Sequence, residues 1–206
     1  MEGGEMTDQQ SFRQHPLTLF LIAATLFAAI LFAPTHATAG THFEVEDNIV
    51  YMDNEITSRT YSQFVKLHKK HPNIDTIVML EIDGSSDDEV MIKLGYYLRK
   101  HKFKTHLEAD SEIYSGGVDL FLAGVKRTME RGAIIGVHSW SDGVKDGADY
   151  LRSSPEHDMN RNYLKRMLGR DDFYWFTLEA APADDIHIMS AGEIKKYRLL
   201  THAIID

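Results

Sequence analysis

Between Ile74 and His138, short β-like runs alternate with amphipathic helical segments. The order is strand (Ile74 to Ile82), helix (carrying Val90, Met91, Leu94, Tyr97 and Leu98), strand (Phe103 to Ala109), helix (opening at Ser115) and strand (Ala133 to Val137). Runs of this order favour an α/β domain, with a mainly parallel sheet and crossover helices. On this pattern the strand that ends in His138 is expected beside the one ending near Ala109. At 206 residues, 43% of them hydrophobic, the chain suits one domain with a real core.

The N-terminal part reads differently. Leu17 to Ala33 is an almost unbroken apolar run, closed by Pro34 and followed by Ala37-Thr38-Ala39. A small-x-small site after an apolar run marks a secretory signal peptide, here cut before Gly40. The run also approaches the roughly 17–25 residues needed to span a bilayer, so an uncleaved N-terminal anchor with membrane association is the alternative. Residues 1–39 are therefore set apart from a single domain over 40–206, in a protein expected to be exported or periplasmic. The formal net charge of −9 argues against a nucleic-acid partner. The chain has no cysteine, which excludes disulfides, thiolate metal sites, cysteine nucleophiles and acylated anchoring. There is no Walker loop, HExxH or calcium loop, and no metal or cofactor is expected.

Local signals outline the remaining elements. Phe43 to Met52 reads as one or two strands broken at Glu46-Asp47-Asn48. A helix follows, capped by Ser58 or Thr60 and stopped by Pro72; His68 and His71 would lie on its solvated face. Ser86 and Glu89 suit a capping box for the next helix, leaving Asp87 in its first turn. Past His138, a polar loop begins with Trp140, which can line a groove or pack on the sheet edge. Glu156 to Leu168 and the aromatic Asp171 to Ala180 read as helices, the second as core or a subunit contact. Ser190 and Glu193 form a further capping box.

The chemistry-bearing stretch runs from Ser115 to His138. A serine nucleophile needs an imidazole to take its proton and N–H groups to hold the oxyanion. Gly116 and Gly117 offer unshielded N–H groups. The hydrolase elbow G-x-S-x-G is only half present, because Ile113 stands where its first glycine would be. Taken singly, these residues fit a buried serine at a helix start and a histidine ending a strand.

The ordered set of Ser115, Leu122-Ala123-Gly124, Lys126-Arg127 and His138 resembles the Clp protease proteolytic subunit and its relatives in the Clp protease–crotonase superfamily. The likeness is greatest to periplasmic proteins related to that protease and covers roughly Asn48 to Leu200. It implies a serine hydrolase, peptidase-like, acting on a peptide or protein and forming homo-oligomers. Ser115 would be the nucleophile and His138 the base. The third residue stands before a motif matched by Met189-Ser190-Ala191, which points to Asp185, one position early, or to Asp184 beside it. Gly116 and a second N–H between Gly84 and Ser86, with Ser86 first choice, would hold the oxyanion. The family's Gly-Gly pair is here Ser86-Asp87, and a carboxylate there would oppose a developing negative charge. The alternatives are a catalytically weak or inactive binding module on the same fold and, ranked last, an acyl-CoA enzyme of the crotonase type. Mass spectrometry of the natively expressed protein is expected to find Gly40 as its N-terminus. An intact N-terminus in the membrane fraction would favour the anchor.

Overall fold

A hairpin leads the described part of the computed structural model, residues 40–206. The expected signal peptide or anchor, 1–39, lies outside the described residues. Strands β1 (His42–Glu46) and β2 (Ile49–Asp53) pair antiparallel, and Asp47 takes a left-handed φ of 53° at the break the sequence marks. Helix α1 (Thr60–Lys70) follows, but neither expected cap serves it. Its N-cap is Arg59, and the Thr60 hydroxyl accepts from the Thr57 N–H at 2.8 Å. His68 is half-buried rather than solvated, hydrogen-bonded to the Tyr97 hydroxyl, and burial lowers its pKa.

Strands then come in pairs, and only the first β-like run holds both members of its pair; the strands Glu112–Tyr114 and Arg127–Met129 lie outside the expected runs. Ile74 to Ile82 divides into β3 (Thr76–Met79) and β4 (Glu81–Ile82), followed by helix α2 (Asp88–Lys100). The next unit is β5 (Lys104–Leu107), β6 (Glu112–Tyr114) and helix α3 (Gly116–Phe121). The third pair is β7 (Arg127–Met129) and β8 (Ile134–Val137). Helices α4 (Asp158–Leu168) and α5 (Asp172–Ala180), strand β9 (His187–Ile188) and helix α6 (Ala191–Lys196) complete the chain.

The first strand of each pair joins one sheet and the second joins another. The sheet orders are β1-β2-β3-β5-β7 and β4-β6-β8-β9. Every pairing is parallel except the two outer ones, β1 with β2 and β8 with β9. The mainly parallel α/β architecture with crossover helices therefore holds. One adjacency is corrected: the strand ending near Ala109, β5, lies beside β7, whereas β8 lies beside β6. Two-residue and three-residue strands such as β4 and β6 are too short to show a period, so the sequence blurs them into their neighbours. Ile77, Val78 and Met79 are all buried, as expected for a parallel strand covered on both faces.

Helix α3 sits in the centre of this arrangement. Val118, Leu120, Phe121, Leu122 and Ala123 expose none of their surface. Its last carbonyls cannot reach water and need donors. Arg99 of α2 supplies them, donating to the Ala123 carbonyl at 2.8 Å and the Leu122 carbonyl at 2.7 Å. Tyr163 of α4, fully buried, donates to the Asp119 carbonyl at 2.9 Å. No helix among the described residues is long and apolar enough to cross a membrane.

Arg127, read from sequence as part of a basic turn, is buried at the start of β7. It donates to the carbonyls of Leu199 at 2.5 Å, Gly124 at 3.0 Å and Arg198 at 3.2 Å, tying the C-terminal segment to the sheet. Burial, then the nearby Arg99, lowers its pKa to about 10, so it stays charged at neutral pH. Arg127→Met removes the guanidinium from the Leu199 and Arg198 carbonyls and leaves the Gly124 carbonyl only a long 3.4 Å bond from Arg99. It is expected to cost about 3 kcal/mol and to lower Tm by roughly 6–12 °C in a thermal melt. An unchanged Tm would show that the clamp is not needed.

Candidate active site

Ser115 sits at a sharp strand-to-helix elbow. Its N–H donates to the Gly136 carbonyl at 3.0 Å, continuing the register that pairs Tyr114 with Gly136. Its carbonyl already accepts from the Val118 N–H at 2.9 Å, so α3 starts with no intervening loop. The turn is achieved with φ 49° and ψ −124° at Ser115, a region that side-chain-bearing residues seldom adopt. Two glycines make room for it. A Cβ on Gly84, itself at φ 140°, would lie 3.3 Å from the Ser115 Cβ, and a Cβ on Gly116 would lie 2.5 Å from the Ser85 Cβ. The turn after β4 therefore lies directly against the elbow.

That contact changes which backbone groups face the serine. The Ser86 N–H, the expected oxyanion donor, donates to the Ile56 carbonyl at 2.9 Å and is spent. Ser85 lies against the elbow, its backbone nitrogen 3.2 Å from where a Gly116 Cβ would be. The Gly116 N–H, first in its helix, has no carbonyl four residues back within the helix to bond to. Asp87 does not intrude on Ser115. Its carboxylate caps α2, accepting from the Val90 N–H at 3.0 Å, in place of the expected Ser86–Glu89 box.

His138 follows β8 and lines one small cavity, about 40 Å³, with Ser115, Gly116, Asp88, Asp119 and Asn160. The structure thus brings Ser115 and His138 to one cavity, as their order in the chain suggests. It does not bring the expected aspartates there. Asp184 and Asp185 are exposed and absent from the cavity wall. The Asp185 carboxylate instead accepts from the Ile186 N–H at 2.8 Å. His187 pairs with Glu193 at 3.1 Å, and the Ser190–Glu193 capping box forms as expected. Nδ1 of His138 is buried, with no partner among the described residues.

Three polar residues on the wall escape the sequence reading. Asp119 had a signal: it is a lone carboxyl in the apolar run Val118 to Ala123, four residues after the serine. Asp88 is hidden beside the more conspicuous Asp87, and Asn160 in a helix that reads as charged and exposed. Trp140 also lines the cavity, with Tyr174 of the aromatic helix, whose Phe173 and Tyr174 are core. Trp140 Nε1 donates to the Tyr174 hydroxyl at 2.9 Å, and that hydroxyl meets His157 Nδ1 at 2.6 Å. His157 Nε2 lies 3.0 Å from the Leu151 carbonyl, which only accepts; Nε2 therefore carries the proton and the Tyr174 hydroxyl donates to Nδ1. Burial pushes the Tyr174 hydroxyl up to about 12, keeping it neutral.

The two carboxyls give the cavity its electrostatics. Asp119 is surrounded by protein although its residue keeps some contact with the cavity. Burial, then the nearby Asp88, pushes its carboxyl up to about 8. Asp88 is also raised, chiefly by burial, and is opposed by its hydrogen bond with Asn160 and by the proximity of His138. A serine, an imidazole, backbone donors and a carboxyl that stays protonated near neutrality can together support acyl transfer or proton transfer.

No protein-family model and no curated protein sequence matches the chain. Solved structures do match in fold. ClpP1 from Listeria monocytogenes, as a mutant, aligns at TM-score 0.53 and 15% identity, over 78% of this chain and 92% of the other. The enoyl-CoA hydratase from Thermoplasma volcanium aligns at 0.53 and 14%, over 81% and 72%. A mutant of the 1510-N membrane-bound stomatin-specific protease aligns at 0.50 and 14%, over 79% and 81%. The chain has the Clp protease–crotonase fold.

The raised Asp119 carboxyl has a consequence for stability. Its folded value of about 8 stands above its ordinary 3.8, so between them the folded protein holds a proton that the unfolded chain has released. Stability therefore falls as pH rises through that window and levels off above it. Asp119→Asn removes the dependence. Thermal melts from about pH 5 to about pH 9 should show the wild type losing Tm relative to the variant. Parallel curves would show that Asp119 is ionised throughout.

Proposed function

We propose that the chain is a serine hydrolase, with Ser115 as nucleophile and His138 as general base. The observation that carries this reading is the left-handed elbow at Ser115. Backbone strain is concentrated at sites of function, and here it falls on a serine that lines the same cavity as His138. Ser115 Oγ attacks a carbonyl carbon while His138 takes the hydroxyl proton. The N–H groups of Gly116 and Ser85 receive the oxyanion. His138 then protonates the leaving group, and water releases the acyl group by the reverse sequence. The substrate is a peptide or protein, a choice supported by the sequence resemblance and by the fold shared with a stomatin-specific protease. Export before action is part of the same reading, on the strength of the N-terminal apolar run and its small-x-small site.

One observation favours a second reading. Asp119 and Asp88 share the cavity, and a carboxyl raised to about 8 is suited to move protons to and from a substrate without a covalent intermediate. The fold also occurs in an enoyl-CoA hydratase.

A serine-directed fluorophosphonate probe separates these readings. The hydrolase is expected to label at Ser115, to lose labelling in Ser115→Ala, and to label at least about 10²-fold more slowly in His138→Ala. Absence of labelling in folded wild-type protein would rule out the hydrolase and leave proton transfer or a binding module on the same fold.

A further inference from the structure

We propose that Asn160 is the residue that orients His138, so that the working set is Ser115, His138 and Asn160, with Asp88 behind it. The inference rests on the hydrolase reading for its catalytic meaning, but its geometric basis is separate. Among the described residues, two buried side-chain polar atoms lack a hydrogen-bond partner: Nδ1 of His138 and Oδ1 of Asn160. Both residues line the same cavity. Buried polar atoms are rarely left unpaired, and an unpaired one needs a physical reason. These two are complementary, since an imidazole nitrogen can donate and an amide oxygen can only accept. One hydrogen bond satisfies both.

The amide's orientation follows from its other end. Asn160 Nδ2 donates to Asp88 Oδ2 at 3.3 Å. A carboxylate accepts and does not donate, so Asp88 holds the nitrogen and leaves the oxygen for the cavity. Asn160 stands in the first turn of α4, whose next turn is anchored by Tyr163 on the Asp119 carbonyl. Pairing the two requires the imidazole or the amide to move, and catalytic hydrogen bonds often tighten only in the loaded site. Once closed, the bond keeps the proton on Nδ1. Nε2 is then the lone-pair nitrogen available to Ser115, as proton abstraction requires. Asp184 and Asp185, exposed and off the cavity wall, make no such contact.

Asn160 is a positioning residue, so the test reads the tautomer of His138 as well as turnover. Nitrogen-15 NMR of the full chain, in wild type and in Ser115→Ala, is expected to show the Nδ1–H form of His138. Asn160→Leu should shift it to the Nε2–H form and slow fluorophosphonate labelling by about 10²-fold or more. Asn160→Asp, which keeps an acceptor at the same place, should restore the Nδ1–H form and bring labelling within about tenfold of wild type. Asp185→Asn should match wild type in both readouts. The Nε2–H form in wild-type protein would overturn the proposal, a result that does not depend on any variant folding. An unchanged tautomer in Asn160→Leu, or its loss in Asp185→Asn, would overturn it equally. If wild type fails to label but its Nδ1–H form is lost in Asn160→Leu, the pairing stands and the hydrolase reading fails.

Discussion

The hydrogen bond from the Ser115 N–H to the Gly136 carbonyl is the constraint on which the site depends. It ends the β6–β8 ladder at the point where the chain turns into α3 and two residues before His138. A parallel ladder carries both strands to the same edge, so the serine and the histidine emerge together. A Cβ added to Gly116 would come within 2.5 Å of Ser85, and one added to Gly84 within 3.3 Å of Ser115, so the β4 turn closes that edge tightly. Backbone that close cannot be moved aside by a side-chain rotamer, so the elbow, the turn and the ladder end hold one another in place.

Strain at Ser115 persists because α3 cannot relax it. The helix is short, six residues, but all except Asp119 are buried, and it is fastened by Arg99 and Tyr163. Residues in sparsely populated backbone regions cost on the order of 1–3 kcal/mol and survive where the surroundings over-determine them. Arg127 extends the same logic to the C-terminal segment, using a charged guanidinium to satisfy carbonyls that would otherwise be buried without donors.

The cavity combines groups that pull in different directions. A developing oxyanion wants donors and no carboxylate nearby, yet Asp88 and Asp119 both reach the wall. Burial moderates this conflict for Asp119 by favouring its neutral form. Trp140 and Tyr174 of the cavity wall are tied to each other and on to His157 by hydrogen bonds, which fixes that side of the cavity.

Much of the frame was legible in the sequence. Helical spacing located α2, the end signals Pro155 and Gly169 located α4, and Gly169, at φ 79°, closes it. The resemblance carried by the ordered motifs from Ser115 to His138 pointed to the two residues that share the cavity. The sequence by itself determined the alternation of strands and helices, because periodicity is a local property, and the resemblance of its ordered motifs singled out this pair. Only the tertiary structure decided which strands are neighbours, since strands as short as β4 and β6 carry no period of their own. It also decided that Ser85 rather than Ser86 faces the elbow, because the Ser86 N–H is drawn to a carbonyl thirty residues back in the chain, at Ile56. The same holds for Asn160 and Asp88: they reach the cavity that His138 lines from two helices distant in sequence, and no spacing rule records their meeting there.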